Sequence, residues 1–255
     1  MNNNFSIILL TKNEAKHLST WKTWLSQLHH LNEIIIVDDN STDDTLKVAK
    51  SLKTSTITIK SFTRSLNGNF SAQRQFAVDQ SSNNFILWLD PDEKPSNNLI
   101  EYINHIDTSQ FKAFAFKRLD YFLNRPLKHG ENYSQYFVRF FDKREGKFVH
   151  KVHEVWSTSN LVKHLDLDVI HQPFPTLTHF FSKLNFYSDI RAQELFDQKV
   201  SVNIFHILFY PFAKFIKDYI FLLGFLDGTP GIIMALGMSF HSFLVRGKLW
   251  TLYRK

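Results

Sequence analysis

The sequence predicts an α/β protein whose mixed sheet is flanked by helices and followed by an apolar, basic helical appendage. Over the first 110 residues, short apolar runs alternate with helix-like stretches, which favours parallel strands joined by right-handed crossovers. Beyond about residue 110, strand-like runs follow one another without full helices between them, so the sheet becomes mixed. The chain of 255 residues can bury a sizeable core. We expect one α/β domain over residues 1–198 and a separate helical region over residues 199–255.

The strands and helices of the first part of the chain are predicted from apolar runs, apolar periodicity and capping residues. Apolar residues recur every three or four positions between Leu18 and Leu31, which predicts an amphipathic helix over 15–31. Ser41 and Ser96 are predicted helix N-caps, the first with Asp43 and Asp44 in the first turn. The strands predicted from apolar runs are Phe5–Leu10, Glu33–Val37, Thr56–Phe62 and Phe85–Leu89, and the further helices are Phe70–Gln80 and Ser96–Ile106.

The second part of the chain has strand-like runs first and strongly apolar helices last. The predicted strands are Ala113–Lys117, Gln135–Phe141 and Lys147–Val155, followed by a helix end at Ile190–Lys199. An apolar helix over 203–223 is expected to break at Gly224, with a turn at 228–231. The last predicted helix, Gly231–Val245, has 15 residues, fewer than the roughly 20 needed to cross a bilayer.

Composition and charge limit the classes of protein and partner. The chain has no cysteine, which excludes disulfides and thiolate metal sites and fits a reducing compartment. Its start, MNNNFSIILLTKNE, reads as a first strand and not as a signal peptide. Residues 199–255 hold seven Lys or Arg against two Asp, so +5 of the net charge of +6 lies there. Because these basic residues are mixed with Phe, Ile and Leu, they favour an anionic membrane surface over nucleic acid.

Polar side chains follow three predicted strands, in the segments Thr11–Glu14, Asp38–Asp39 and Asp90–Asp92. In a parallel sheet these segments emerge at the carboxyl edge, where open α/β sheets bind ligands. Asp90 and Asp92 on extended backbone can converge on one hard cation, with a phosphate supplying further oxygens. The alternative for this acidic run is a solvated turn that ends a core strand. The shared edge favours a binding site.

Several motifs together resemble the family 2 inverting glycosyltransferases, whose GT-A fold is a Rossmann-like mixed sheet flanked by helices. The motifs are TKNE (11–14), VDDNSTDDT (37–45), FSAQRQFA (70–77), DPDE (90–93) and VHE (152–154). With VHE, the segments YFVRFFDK (136–143) and GFLDGTPG (224–231) are similar to a narrower branch, the bacterial β-1,4-glucosyltransferases of lipopolysaccharide core assembly. The resemblance covers essentially the whole chain.

The resemblance implies a role for each matched residue. Glu154 is the expected general base for the acceptor hydroxyl, and Asp92 with Asp90 is expected to bind Mg²⁺ or Mn²⁺. The residues expected to bind the donor nucleotide are Thr11, Glu14, Asp38, Asp39, Arg74, Asp90 and Arg139, with the two arginines neutralising the diphosphate. Two positions depart from the common pattern, Asn40 in place of Gly and Pro91 in place of a small residue. Structural alternatives are a first-turn helix acid for Glu14, salt bridges for the arginines and a surface acid for Glu154.

The function implied is a metal-dependent, inverting transfer of a sugar from a nucleotide-sugar donor. UDP-glucose is the expected donor, and a lipid-linked saccharide such as lipopolysaccharide core is the expected acceptor. The enzyme would lie in the cytoplasm, peripherally attached to the inner face of the plasma membrane. One alternative is a transferase of the same fold that acts on another glycan or on a polyprenyl phosphate. Another is a catalytically silent protein that binds nucleotide sugars or glycans.

Overall fold

The computed structural model describes residues 4–130, 135–151, 154–174 and 176–254. The chain forms two compact units. The first unit contains residues 1–118 and 135–171, and the second contains residues 119–134 and 172–255. The proposed functional boundary at residue 198 therefore falls within the second unit, and the assignment of 199–255 as a membrane-associating region stays a prediction.

The strands of the described residues form one mixed sheet and one hairpin. In chain order the strands are β1 (Phe5–Thr11), β2 (Leu31–Asp38), β3 (Thr58–Thr63), β4 (Phe85–Trp88), β5 (Glu93–Pro95), β6 (Ala113–Phe122), β7 (Arg125–Pro126), β8 (Tyr136–Asp142), β9 (Gly146–Val149), β10 (Val155–Thr158) and β11 (Val162–Phe174). The sheet order is β3-β2-β1-β4-β8-β6-β11-β5, with β7 paired to β6, and β9 and β10 form the hairpin. The pairs β3-β2, β2-β1 and β1-β4 are parallel, whereas β8 runs antiparallel to β4 and β6. The predicted change from parallel to mixed pairing is confirmed.

The helices differ widely in length between the two units. They are α1 (Ala15–Leu18), α2 (Lys22–Leu25), α3 (Thr45–Lys50), α4 (Phe70–Gln80), α5 (Asn97–Asn104), α6 (Leu177–Asp197), α7 (Ile204–Ile216) and α8 (Gly228–Leu252). Short 3₁₀ turns lie at Lys143–Glu145 and Gly224–Asp227, and a π-helical turn lies at Lys217–Phe221. The predicted helix Phe70–Gln80 and the Ser96 cap, which accepts from the Leu99 N–H, are confirmed.

The core of the first unit lies on both faces of the parallel strands. Ile7 and Ile34 belong to one apolar cluster, whereas Ile8 and Ile35, the next residue in each strand, belong to the other. Successive side chains of a strand point to opposite faces, so a strand covered on both sides must be apolar throughout. For this reason the sequences of these strands are unbroken apolar runs.

The prediction of one continuous helix over 15–31 is wrong. The apolar residues of the pattern are buried, but the backbone forms α1 and α2 with a break between them. At the break, the hydroxyls of Ser19 and Thr20 donate to the carbonyls of Lys16 and His17, both at 2.7 Å. Hydroxyls that bond locally to the backbone compete with helix formation.

Three further local predictions are wrong. Ser41 does not cap a helix, because its hydroxyl donates to Asp38 and α3 begins only after Asp44. The run 147–155 is not one strand, since β9 and β10 pair with each other as an antiparallel hairpin. The segment 228–231 is not a turn but the first turn of α8, where proline at position 230 is tolerated.

The last helix is longer than the predicted 15 residues. The helical segment Gly224–Leu252 has 29 residues and contains an 18-residue stretch with a mean hydropathy of 1.3, and among the described residues it alone is long and apolar enough to cross a membrane. Within the second unit, α8 packs closely on α6. A Cβ atom at Gly237 would lie 2.3 Å from the ring of Phe180, so only glycine permits this approach.

A buried carboxylate joins three segments at the amino-terminal end of the parallel strands. Glu33 pairs with Lys60 at 2.6 Å and accepts from the Ser6 hydroxyl at 2.6 Å and from the Ser82 N–H at 2.9 Å. Burial raises its pKa, but the Lys60, Ser6 and Ser82 contacts outweigh this and lower the pKa to about 2.

We predict that Glu33 makes the protein sensitive to acid. Because the folded-state pKa is depressed, its stabilisation is fully present above the ordinary pKa of 4.5 and is lost as the pH falls toward 2. At about 1.4 kcal/mol per pKa unit, the loss amounts to about 3 kcal/mol. Urea denaturation across this pH range measures it. Glu33→Gln should lower stability at neutral pH and flatten the acid limb, whereas exposed Glu101→Gln should change neither. An unchanged acid limb in Glu33→Gln would contradict the assignment.

Candidate active site

The carboxyl ends of β1 and β2 are joined by a buried hydrogen-bond network. Thr11 lies opposite Asp38 in the parallel register, and its hydroxyl donates to Asp38 Oδ1 at 2.9 Å. Asp38 also accepts from the Ser41 N–H at 2.8 Å and the Ser41 hydroxyl at 2.5 Å. Both Thr11 and Asp38 are buried. Their contacts therefore shape the loop after β2.

The neighbouring acids of this edge are more accessible. Asp39 pairs with Lys12 Nζ at 2.8 Å and accepts from the Leu66 N–H at 2.9 Å. The hydrogen bond from Lys12, followed by that from Leu66, lowers the Asp39 pKa. Glu14 lies on the same edge, and its Oε2 is 2.6 Å from Nδ1 of His17. Hydrogen bonding to Glu14 raises the pKa of His17, and the charge of Asp92 adds to the effect.

A cluster of buried charges lies at the end of β4. The strand stops at Trp88, as the Asp-Pro sequence after it predicts. Arg74, on α4, donates from Nη2 to Asp90 Oδ1 at 2.7 Å and from Nε to Glu154 Oε1 at 2.6 Å. Its guanidinium carbon lies 4.2 Å from the centre of the Trp88 ring. Arg74 is buried, so this one side chain joins two of the predicted functional carboxylates.

Arg139, on β8, forms the other half of the cluster. Its guanidinium carbon also lies 4.2 Å from the centre of the Trp88 ring, and its Nη2 donates to Glu93 Oε1 at 2.6 Å. The Glu93 side chain is 0% exposed, and its Oε2 accepts from the Asp90 N–H at 2.9 Å. Burial raises the Glu93 pKa. Glu93 thus fixes both Arg139 and the backbone of the Asp90 turn.

The charges of the two arginines converge on Asp90. Arg139 Nη1 lies 4.0 Å from Asp90 Oδ2. Burial opposes ionisation of Asp90, but the charges of Arg74 and then Arg139 outweigh it and lower the pKa. Among the described residues, the buried polar atoms without a hydrogen-bond partner include Nη1 of Arg74 and Nη1 of Arg139. These unsatisfied donors suit an anion with several oxygens.

Asp92 lies apart from the arginines and beside a histidine. Its Oδ2 is 3.2 Å from Nε2 of His171, on β11. The antiparallel pairing of β5 with β11 places His171 opposite Glu93. Burial raises the Asp92 pKa, but the hydrogen bond from His171 and its charge outweigh burial and lower it.

The donor atoms near Asp92 fit a divalent cation with an incomplete protein shell. A carboxylate oxygen and an imidazole nitrogen are suitable ligands for Mn²⁺, and a carboxylate also suits Mg²⁺. Within the described ranges, no group of three or more His, Asp or Glu side chains is arranged to hold a metal alone. Asp90 uses its carboxylate on Arg74, so metal binding by Asp90 stays a prediction.

Glu154 is mostly buried, and its place in the fold differs from the prediction. It lies inside the predicted strand 147–155, whereas the structure places it between β9 and β10, immediately before Val155. Its neighbour His153, whose side chain would point to the opposite face if the predicted strand 147–155 were extended there, lies outside the described residues. The contact with Arg74 nevertheless brings Glu154 to the same cluster as Asp90.

Several residues of this site were missed in the sequence. In the sequence, Trp88 belongs to a predicted strand and Glu93 to the DPDE motif. Neither assignment indicates a contact with an arginine. His171 lies far along the chain from Asp92, in a run without a local motif. Only the antiparallel pairing of β5 and β11 brings it there.

Comparison with known proteins assigns the family. The model of glycosyl transferase family 2 matches residues 6–168. The chain belongs to this family. A family 2 match over these residues confirms the resemblance inferred from the motifs. The chain is therefore a glycosyltransferase.

Relatives of this glycosyltransferase match it over nearly its full length. A glycosyltransferase of Rickettsia typhi is 26% identical over 98% of this chain and 88% of that protein. LpsC of Rhizobium meliloti, named a lipopolysaccharide core biosynthesis glycosyltransferase, is 22% identical over 96% of this chain and 91% of that protein.

Solved structures support the predicted GT-A fold. The mannosyltransferase PcManGT of Pyrobaculum calidifontis, determined with GDP-Man and Mn²⁺, gives a TM-score of 0.56 at 11% identity and covers 99% of this chain and 88% of that one. TarS of S. aureus, residues 1–349, gives 0.50 at 12% identity and covers 98% and 91%. The mixed sheet flanked by helices confirms the fold class, and the long apolar helix at the C-terminal end is present.

We predict that Glu93→Gln destabilises the first unit. Removing one charge of a buried ion pair leaves the other uncompensated, which costs about 3–5 kcal/mol. The free energy of unfolding in urea measures this loss. Exposed Glu101→Gln is the control and should stay within about 0.5 kcal/mol of the parent. A Glu93→Gln protein as stable as that control would show that Arg139 is held by other contacts.

Proposed function

We propose that this family 2 enzyme transfers glucose, with inversion, from UDP-glucose to a lipid-linked saccharide such as lipopolysaccharide core. The contact of Arg74 with both Asp90 and Glu154, at 2.7 and 2.6 Å, carries the proposal. It brings a predicted donor-side carboxylate and the predicted base onto one buried guanidinium. The likeness to LpsC supports the choice of acceptor.

In this proposal the nucleoside binds along the ends of β1 and β2. Asp39 and Glu14 accept hydrogen bonds from the ribose and base, while Thr11 and Asp38 hold the loop that presents them. The diphosphate lies against Arg74 and Arg139, whose buried donors are already oriented by stacking on Trp88. Preoriented donors stabilise developing negative charge without the cost of reorganisation.

Asp92 and His171 would hold Mg²⁺ or Mn²⁺, with Asp90 as the further predicted ligand. When bound, the ion neutralises charge on the departing diphosphate. PcManGT, a protein with a similar fold, was determined with Mn²⁺ and GDP-Man, which supports a divalent ion in this fold.

The transfer itself is one displacement at the anomeric carbon. The oxygen of the acceptor hydroxyl forms a bond to that carbon from the face opposite the diphosphate. The bond from the carbon to the diphosphate oxygen breaks, and its electron pair leaves with the diphosphate. Glu154 takes the proton of the hydroxyl. Arg74 orients the Glu154 carboxylate, because its Nε is bonded to Oε1.

We further propose that the enzyme acts in the cytoplasm, peripherally bound to the inner face of the plasma membrane. A lipid-linked acceptor requires the active site to work near a bilayer. The basic excess and apolar helices of residues 199–255 support this location.

A thermal-shift screen of nucleotide sugars with and without Mn²⁺ tests the donor and the metal together. Ligand binding to the folded state raises the melting temperature by mass action. UDP-glucose should give the largest shift, and Mn²⁺ should increase it. Asp92→Asn should remove the Mn²⁺-dependent part and abolish transfer, whereas Asp79→Asn, at an exposed acid of α4, should behave like the parent. A Mn²⁺-dependent shift that survives in Asp92→Asn would refute the metal assignment.

Replacing Glu154 tests the base. Glu154→Gln keeps the size of the side chain and its contact with Arg74 but removes the basicity. It should bind donor normally and lower turnover by roughly 10²–10⁴-fold, the usual contribution of a positioned base. We expect His153→Ala to cost much less. A Glu154→Gln enzyme with near-normal turnover would rule Glu154 out, and a donor shift without any transfer or donor hydrolysis in the parent would favour a silent binding protein.

A further inference from the structure

The second unit carries an apolar stripe that points away from the protein. Phe205, Leu208, Phe209 and Phe212 follow the spacing of one helical face of α7, and they are 63%, 60%, 61% and 64% exposed. No described residue of α7 is buried. Helices of globular proteins normally turn such a stripe toward the core. A large exposed apolar patch marks an interaction site.

We propose that this stripe of α7 inserts into the headgroup and acyl boundary of an anionic bilayer, with α7 lying in the plane of the membrane. This proposal rests on the proposed function in one respect, that the bilayer is the inner face of the plasma membrane. The occupant is a lipid surface, as the charges and aromatic residues of α7, α8 and the segments beside them indicate.

The charges of this region favour anionic lipid. Both acids of residues 199–254 are withdrawn from solvent, since Asp218 is buried beside Lys214 and Asp227 accepts from the His129 backbone N–H. Lys199, Lys217 and Arg254 are exposed, so positive charge dominates the accessible surface of residues 199–254. Basic residues near an anionic leaflet strengthen binding, and salt weakens their effect.

Aromatic residues stacked with arginine supply contacts for the headgroup level. The Arg246 guanidinium carbon lies 4.5 Å from the ring centre of Tyr210, and that of Arg254 lies 4.5 Å from Trp250. Tyr210 and Trp250 are both exposed. Rings with a polar tip, and arginines that extend toward water, are typical of membrane interfaces.

The packing of α8 argues against a spanning helix, although its length and composition would permit one. Val245 and Leu249 share a cluster with residues of α6, and Lys248 pairs with Asp189 of α6 at 2.7 Å. On α6, Asp189, Arg191 and Glu194 are exposed. A membrane-spanning α8 would draw these charges into hydrocarbon, which is costly. The α7 face meets no such obstacle.

Flotation with vesicles of phosphatidylcholine, alone or mixed with phosphatidylglycerol, tests the surface on the full chain without donor or acceptor. The triple variant Phe205→Ser, Phe209→Ser, Phe212→Ser should lower binding to both vesicles by about 100-fold, since three rings no longer leave water. The double variant Lys217→Gln, Arg254→Gln should lower binding to the vesicles with phosphatidylglycerol by about tenfold. It should leave binding to phosphatidylcholine alone unchanged. Phe186→Ser and Leu161→Ser, at residues 60% and 78% exposed elsewhere, are the matched controls.

Each outcome decides for or against the surface. Loss of binding in the triple variant, with the parent's thermal shift by UDP-glucose retained, supports it. Parent-like flotation of the triple variant overturns it. Resistance of the parent to alkaline carbonate extraction would instead show a spanning α8, and a change of mass in light scattering with unchanged flotation would show a contact between copies. A parent that floats without responding to any nucleotide sugar would refute the proposed function and leave this inference standing.

Discussion

The parallel pairing of β1 with β2 on one side and β4 on the other is the constraint on which the site depends. Parallel strands in this register end at one edge, so Thr11 faces Asp38 and the turn at Asp90 follows beside them. The same pairing buries both faces of the strands, which fixes their register. A register shift of one residue would move the apolar side chains of a strand to the opposite face of the sheet. It would also displace the polar residues that follow the strand.

Trp88 organises the charges at this edge. It is the last residue of β4, and its ring supports the guanidinium groups of Arg74 and Arg139. Each guanidinium is then held by carboxylates, Arg74 by Asp90 and Glu154, and Arg139 chiefly by Glu93. Burying such charges is costly and adds little net stability. The arrangement is better understood as preorganisation for an anionic ligand, in agreement with the diphosphate chemistry we propose.

The second unit uses its apolar residues in two different ways. Those on one side of α8 pack against α6, where Gly237 allows a close approach to Phe180. Those of α7 on the stripe from Phe205 to Phe212 remain exposed. Hydropathy of the sequence is high in both helices, so it does not distinguish a helix that fills a core from one that contacts lipid. Burial makes that distinction, because it shows which apolar faces lack a protein partner.

The sequence by itself determined the alternation of strands and helices over the first 110 residues, the change to a mixed sheet, the family and the segments that meet at the carboxyl edge of the sheet. These follow from local signals, because a buried strand must be apolar and an Asp-Pro step ends it. Only the tertiary structure decided the pairing of Asp92 with His171 and the arginine contacts of Glu93 and Glu154. Contacts between residues distant in the chain leave no periodicity or spacing in the sequence, so they exist only once the strands have paired.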